Sequence, residues 1–104
     1  LEYLLSNRPM GDGLDYYNYA TVIQMWKGDD KALSPFIKVA DEATDKELRA
    51  LANIRVGDIL QKMGNFEEAK GRYRQAAEIA PGTSWAKVSS ENASQLEMAM
   101  EVGR

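Results

Sequence analysis

Acidic residues stand in adjacent pairs at Asp29-Asp30, Asp41-Glu42 and Glu67-Glu68. Two carboxylates can share acid–base catalysis when burial or mutual coupling raises the pKa of one of them. Each pair here lies at the expected start or end of a helix, where capping and the helix dipole account for it. We therefore assign the pairs to helix ends rather than to catalysis.

Most other site chemistry lacks the residue types it needs. The chain has no Cys and no His, which removes thiol nucleophiles, zinc sites and imidazole acid–base catalysis. Gly11-Asp12-Gly13 resembles part of a phosphate or calcium loop, but the third glycine, the Lys and the spaced carboxylates of such loops are missing. We expect a turn there, no catalytic residue, no cofactor and no metal, and therefore not an enzyme.

Charge and hydropathy restrict the partners. The net charge of −3 comes from 13 basic and 16 acidic residues, whereas nucleic-acid binding depends on clustered Lys and Arg. The densest basic segment, 70–74, follows Glu67 and Glu68 closely, so we expect no nucleic-acid partner. The apolar runs are far shorter than the roughly 20 residues of a membrane span, so we expect no membrane contact within these residues.

The chain opens Leu1-Glu2-Tyr3, without an initiator Met or a signal peptide. We therefore expect it to be a piece of a longer protein, with any targeting or anchoring segment upstream. The absence of Cys suits the cytoplasm and the periplasm equally, so it leaves the compartment open.

The aromatic residues have two interpretations. Tyr and Trp are favoured where proteins bind each other, and the chain offers Tyr16, Tyr17, Tyr19, Trp26 and Trp85. Tyr19 and Trp26 stand at helical spacing, so we predict them to be core residues. Tyr17 falls off that stripe, and for this residue core and binding roles remain equally open.

Helical periodicity dominates the second half of the chain. A first row of apolar residues at three- and four-residue steps predicts a helix over 45–63. Thr44 is expected to accept a backbone hydrogen bond in a capping box with Glu47. Gly64 is expected to end the helix. A second helix is predicted over 66–80, capped by Asn65 and ended by Pro81-Gly82. The expected inward residues are Leu48, Ala52, Val56, Ile59, Leu60 and Met63 in the first, and Phe66, Ala69, Tyr73, Ala76, Ala77 and Ala80 in the second.

The remaining segments follow the same periodicity. We predict a helix over 16–27, then one over 31–43 that alternatively begins at Pro35 with Ser34 as its cap. A last helix spans 84–102, and residues 1–7 form the tail of a preceding helix. The expected inward residues are Tyr19, Val22, Ile23 and Trp26, then Ala32, Leu33, Phe36, Ile37, Val39 and Ala40, and finally Trp85, Val88, Leu96, Ala99 and Met100. No alternating strand pattern occurs, so the predicted class is all-α.

Residues 50–83 resemble a tetratricopeptide repeat. Val56 and Gly57 match the Leu-Gly pair of the family's first helix, and Leu60 takes the place of its tyrosine. The second helix then follows in register through Gly64, Phe66, Ala69, Tyr73, Ala76 and Pro81. Asn53 departs from the pattern, because the family often has an aromatic there.

The resemblance implies one domain over 1–104, an antiparallel helix-turn-helix superhelix. Its parts are the end of a preceding helix with its turn at 1–13, a degenerate repeat at 14–47, a repeat at 48–83 and a capping helix at 84–104. A further likeness, to tetratricopeptide-like proteins of the bacterial cell envelope, favours a periplasmic or membrane-associated location over the cytoplasm.

In such repeats the first helices line a concave surface. The resemblance therefore implies a scaffold that binds a peptide or helix of another protein, within a multiprotein complex. The expected partner-binding residues lie off the core stripe of the first helices: Tyr17, Gln24, Arg55, Asp58, Gln61 and Lys62. The alternative is homo-oligomerisation, with a homodimer burying the apolar side of 1–7 or of the last helix.

Gly57 carries one further expectation. It should mark the point where the two helices of the clear repeat touch through small residues. On that basis Gly57→Leu overpacks the contact at about 1–3 kcal/mol, whereas Gly57→Ala is nearly neutral.

Overall fold

The computed structural model describes residues 11 and 13–102, which form α-helices joined by short turns and contain no strand. The predicted all-α class is therefore confirmed for this part of the chain. The predicted helix over 1–7 lies outside the described residues. The helices are α1 (Leu14–Lys27), α2 (Asp29–Glu42), α3 (Lys46–Lys62), α4 (Phe66–Ile79) and α5 (Ser84–Val102).

The start of α3 differs from the predicted capping box. Asp45, not Thr44, is the N-cap, and its side chain accepts a hydrogen bond from the backbone N–H of Leu48 at 3.1 Å. Thr44 instead donates to the carbonyl of Gly11 through both its N–H (2.9 Å) and its hydroxyl (3.0 Å). Thr44 therefore joins the segment before α1 to the α2–α3 turn by two hydrogen bonds.

Pro35 lies inside α2, which begins at Asp29. The alternative start at Pro35 is therefore wrong. Proline has no N–H, so the helix loses the bond that residue 35 would donate to the carbonyl of Lys31. Ala32 and Phe36 stand on either side of this point and are fully buried. A helix that began at Pro35 would leave Ala32 outside it. The burial of Ala32 within α2 therefore offsets the lost hydrogen bond.

Each helix packs mainly against the next one along the chain, in antiparallel fashion. Weaker contacts join α1 to α3 and α3 to α5, so these helices form one layer and α2 and α4 the other. The shortest dimension between Cα atoms, 16 Å, fits two layers whose helix axes are about 10 Å apart. This is a helical-repeat arrangement, compatible with tetratricopeptide-like folds.

The core centres on α3, because four helices pack around it. Its predicted inward residues are confirmed for Ala52, Val56, Ile59 and Leu60, whereas half of Met63 is exposed. Three further positions, Ala50, Asn53 and Ile54, are buried on the other sides of the helix without having been predicted, and Gly57, predicted as a helix contact, is buried too. In α4 the buried face is Ala69, Tyr73 and Ala76, as predicted, with Ala80 just beyond the helix, while Phe66 is exposed.

The first helix buries less than the sequence predicts. Trp26 is 82% exposed and Val22 is 46% exposed, so their assignment to the core is wrong. Tyr19 and Ile23 are half-buried, and Ala20 is the fully buried residue of α1. The physical reason is that α1 is packed on one side by α2 and α3, and no other described helix covers its opposite side.

The last helix also turns a different face inward from the predicted one. Ser89, Ala93 and Leu96 are buried, so Leu96 is confirmed, whereas Val88 and Ala99 are exposed. Ser89 is accommodated because its hydroxyl donates to the carbonyl of Trp85 at 2.7 Å. Small residues at 89 and 93 allow α5 to approach α4 closely.

Gly57 is in close contact with α4, but its neighbour is not a small residue. A Cβ atom built on Gly57 would lie 2.8 Å from Cε1 and 2.9 Å from Cζ of Tyr73. The crossing therefore joins a glycine to an aromatic ring. This geometry favours a cost for Gly57→Ala over a neutral effect, because even a methyl group meets the ring.

Asn53 is fully buried and has hydrogen-bond partners on two helices. Its Nδ2 donates to the carbonyl of Arg49 at 3.1 Å, and its Oδ1 accepts from Nη1 of Arg72 at 3.2 Å. The same Arg72 nitrogen lies 3.4 Å from Oδ1 of Asp41. Asn53, which departs from the repeat pattern, thus forms a polar link between α3 and α4. Arg72 extends this link to α2 through its contact with Asp41.

Candidate peptide-binding groove

One face of α3 stays open between α1 and α5, and we call it the central face. Leu51, Arg55, Asp58 and Lys62 follow one another along α3 at steps of four, three and four residues, which places them in one row. They are exposed or half-buried, whereas all other positions of α3 from 50 to 60 are buried. The three predicted positions Arg55, Asp58 and Lys62 thus share one surface with Leu51, which the sequence analysis did not single out.

Tyr17 of α1 and Arg55 of α3 meet on the central face. The Nε atom of Arg55 donates to the hydroxyl of Tyr17 at 3.1 Å. This hydrogen bond, together with the nearby Asp58 carboxylate, holds the pKa of Arg55 above its usual value despite partial burial. The Tyr17 ring packs edge-on against Phe36, with ring centres 5.4 Å apart. The Tyr17 ring therefore packs against the core while its hydroxyl bonds to Arg55, and a binding role for Tyr17 stays a prediction.

Gln24 and Lys62 are brought together by Asp29, at the end of the central face where α1 turns into α2. Nε2 of Gln24 donates to one carboxylate oxygen of Asp29 at 2.9 Å, and Nζ of Lys62 lies 3.5 Å from the other. The Gln24 hydrogen bond and then the Lys62 charge lower the pKa of Asp29. In the sequence Asp29 has only the position of a helix-end residue, and nothing there indicates that it lies between two predicted site residues.

Asp58 and Gln61 both accept from the hydroxyl of Tyr73 in α4. The Gln61 contact is 3.3 Å, and the Asp58 carboxylate accepts from the same hydroxyl. Burial of the phenol, and then the Asp58 carboxylate, raise the pKa of Tyr73 far above its usual value. Tyr73 therefore stays protonated and donates at neutral pH. Asp58 and Gln61 consequently also hold α3 to α4, in addition to facing solvent.

The other end of the central face is apolar. A hollow of about 210 Å³ opens where the first turns of α1, α3 and α5 converge. Its apolar lining is Leu14, Leu48, Leu51 and Trp85, and Asp45 and Glu47 stand at its edge. Sequence reasoning assigned Leu48 and Trp85 to the core and did not consider the other two. The signal available was the spacing of Leu51, which lies one turn before Arg55 on the same row.

The central face therefore offers hydrogen-bond donors and acceptors at one end and an apolar hollow at the other. Within 11 and 13–102, no group of acidic side chains is placed to hold a metal ion. No helix of that part of the chain is both long and apolar enough to cross a membrane.

Comparison with known proteins gives no assignment: no protein-family model matches the chain, and neither a curated protein nor a solved structure matches it. The structure by itself defines an all-α helical-repeat arrangement.

Proposed function

We propose that this chain is a protein-interaction module of the tetratricopeptide type, which holds a peptide or helix of a partner protein on the central face and works within a multiprotein complex. The observation that carries the proposal is the hollow formed by Leu14, Leu51 and Trp85. These residues come from three different helices yet line one opening, next to the polar row of Arg55 and Lys62. A surface built jointly by the first helices is what a repeat scaffold uses for recognition.

Two positions of the repeat pattern support the family part of the proposal. Gly57 and Tyr73 stand in register with the pattern, and they pack directly on each other where α3 crosses α4. The short turns of the chain and the antiparallel packing of successive helices agree with the same architecture.

The side chains of the central face indicate the kind of peptide that fits. An apolar side chain suits the hollow, because it would cover Leu51 and Trp85 from water. Asp45 and Glu47 at the edge favour a basic residue beside that apolar anchor. Further along, Arg55 and Lys62 can donate to backbone carbonyls or to a carboxylate of the bound segment. The proposed ligand is therefore a short segment with an apolar anchor, a basic flank and an acidic residue beyond it.

Selection from a displayed peptide library would supply the ligand for a direct test. A selected peptide should lose about 2 kcal/mol of binding free energy when Arg55→Ala and Lys62→Ala are combined. The matched control is Lys70→Ala with Arg74→Ala, which removes the same charge from α4. The central-face pair should cost at most about 1 kcal/mol of stability, because the contacts it removes, Arg55 with Tyr17 and Lys62 with Asp29, lie at the surface.

The two double variants separate the explanations. Equal losses would mean that net charge drives association, and loss only from the α4 pair would move the site to the other layer. Either result would overturn the proposed groove.

Homo-oligomerisation remains a second candidate, favoured by one observation on α5. Met98 and Val102 lie one turn apart and are 66% and 87% exposed, so α5 presents an apolar strip to solvent. If two copies pair there, sedimentation velocity should show a concentration-dependent dimer that Met98→Lys dissociates. A monomer at all concentrations would remove this candidate and leave the peptide groove untouched.

A further inference from the structure

A second hollow lies between α1 and α2, away from the central face. It has a volume of about 270 Å³, and its lining includes Tyr16, Tyr19, Lys27, Lys31, Pro35 and Lys38. Tyr16, Tyr19, Ile23 and Lys27 recur along α1 at steps of three or four residues, and Lys31, Pro35 and Lys38 do so along α2. Each helix therefore contributes one face to this outer groove.

The charge of the outer groove is opposite to that of the whole chain. Three lysines line it and no acidic residue does, although the chain carries a net charge of −3. The ion pairs of the described residues involve other cations, namely Lys62, Lys70, Arg72 and Arg74. Lys38 lies over the Tyr16 ring, with Nζ 5.4 Å from the ring centre, which is a cation–π contact within the groove. Lys27, Lys31 and Lys38 take part in none of these ion pairs, so the groove is lined by three cations and by no anion.

An apolar shelf continues from the groove along α1. Trp26 lies two turns after Tyr19 on the same side of the helix, and Val22 stands one turn before Trp26. Met25 adjoins them and is 77% exposed. Single exposed apolar side chains are common on protein surfaces, whereas adjacent ones of this size mark interaction surfaces. A ligand for this region therefore needs an anionic part and an apolar part side by side.

We propose that the outer groove and its shelf bind an acidic amphipathic helix of a partner protein. Its carboxylates would meet Lys27, Lys31 and Lys38, and its apolar side chains would cover Val22, Met25 and Trp26. This site is separate from the proposed central-face groove, so the module would hold two partner segments at once.

Charge favours an acidic helix of a partner protein over the other molecules that could cover the outer groove. A second copy docking symmetrically through the same face would bring lysines against lysines, since a two-fold interface pairs each patch with itself. Residues 1–10 contain one acidic and one basic residue, Glu2 and Arg8, so they offer no net negative charge. Nucleic acid is disfavoured by the net negative charge of the chain. An anionic membrane presents a broad headgroup layer, whereas a groove between two helices fits individual side chains.

A designed pair of peptides tests the proposal on the full 104-residue chain. The first is a fluorescein-labelled helical peptide with leucines on one face and glutamates on the adjoining face, and the second has every Glu replaced by Gln. The chain should bind the Glu peptide at least about tenfold more tightly, equivalent to ~1.4 kcal/mol, and raising the salt to about 0.15 M should reduce the difference.

Charge-removing variants locate the site. Lys27→Gln, Lys31→Gln and Lys38→Gln together should abolish the preference for the Glu peptide. Lys46→Gln, Lys70→Gln and Lys87→Gln remove the same charge elsewhere and should preserve it. In a Trp85→Phe background Trp26 is the remaining tryptophan, and its emission should shift to the blue when the Glu peptide binds.

Four results would overturn the proposal. They are equal affinity for the two peptides, equal loss from the two triple variants, a dimer of the chain that Trp26→Ala dissociates, and uptake on phosphatidylserine vesicles by a chain that ignores the Glu peptide. Equal affinity would mean that the groove does not recognise carboxylates, and equal loss from the triple variants would mean that general charge drives binding. The dimer would assign the surface to a second copy of the chain, and the vesicle result would assign it to a membrane.

Discussion

Gly57 and Tyr73 touch so closely that the helix crossing has no room for a methyl group. A Cβ atom on Gly57 would lie between 2.8 and 3.0 Å from three atoms of the Tyr73 ring. The ring cannot simply swing aside, because its hydroxyl is held by Asp58 and Gln61 at the other end. The contact therefore fixes the distance between α3 and α4.

We predict that Gly57→Ala destabilises the chain by about 1 kcal/mol, although alanine is the better helix former. Overpacking costs about 1–3 kcal/mol, and the gain in helix propensity returns at most about 1 kcal/mol. Gly57→Leu should cost more than Gly57→Ala. Urea unfolding followed by circular dichroism measures both free energies.

The same pair supplies its own control. In a Tyr73→Leu background the ring is absent, so Gly57→Ala should become neutral or stabilising. An equal cost of Gly57→Ala in both backgrounds would show that the Tyr73 ring is not what excludes the methyl group.

Gly13 has a comparable constraint at the start of α1, and we predict that Gly13→Ala costs about 2–4 kcal/mol. Its φ is +95°, and a Cβ there would lie 2.5 Å from Cβ of Ala43. The substitution therefore adds a clash with the α2–α3 turn to the strain of a left-handed backbone, which costs about 1–2 kcal/mol. Differential scanning calorimetry gives the shift in melting temperature.

Gly64→Ala is the matched control for Gly13→Ala. Gly64 has a φ of +86° and nothing within 4 Å of its Cβ position, so this variant adds backbone strain alone. Equal destabilisation by the two variants would mean that α1 is not packed onto the turn at Ala43.

Tyr73 should make the stability of the chain depend on alkaline pH. Its pKa is raised in the folded state by burial and by Asp58, whereas an unfolded tyrosine titrates near about pH 10. The stabilisation is therefore complete below about pH 10 and is lost as the pH rises above that value. Tyr73→Phe should cost about 1.5–3 kcal/mol at neutral pH, the range for a hydrogen bond to a charged group, and the deficit should shrink above pH 10.

Urea unfolding of the wild-type chain and of Tyr73→Phe at a series of pH values tests this dependence. Tyr16→Phe also removes one phenol but leaves the α3–α4 contact intact, so it should track the wild-type curve. A constant difference between wild type and Tyr73→Phe from neutral to alkaline pH would contradict the assigned hydrogen bond.

Helix boundaries were predictable because their causes are local. Gly28, Gly64 and Pro81-Gly82 interrupt the helices within the sequence itself, and the observed ends of α3 and α4 differ from the predicted ones by a single residue. The choice of buried face was less predictable, because it depends on which helices lie beside a given one. Trp26 has the residue type and spacing of a core position, yet no described neighbour covers it.

The candidate site was predictable to the same extent. The six positions chosen from the sequence all make side-chain hydrogen bonds, those of Asp58 and Gln61 with Tyr73 of α4, and their role in binding a partner stays a prediction. The apolar hollow was not predicted, because Leu14, Leu51 and Trp85 are far apart in sequence and each alone resembles a core residue. Their convergence arises from the packing of α1, α3 and α5.

The buried link between Asn53 and Arg72 yields the last prediction. Asn53→Leu should destabilise the chain by about 1–3 kcal/mol, because Arg72 then loses a partner inside a largely buried contact. Combining Asn53→Leu with Arg72→Met should recover part of that loss, since replacing both polar partners by apolar groups of similar shape removes the unsatisfied group. A double-mutant cycle from urea unfolding should give a coupling energy of about 0.5–3 kcal/mol. Arg74→Met is the comparison, because its ion pair with Glu97 is about half exposed on both sides and is worth at most about 1 kcal/mol. If Asn53→Leu alone proves neutral or stabilising, the polar link contributes nothing to stability, and an apolar residue at position 53 suits this core as well as asparagine does.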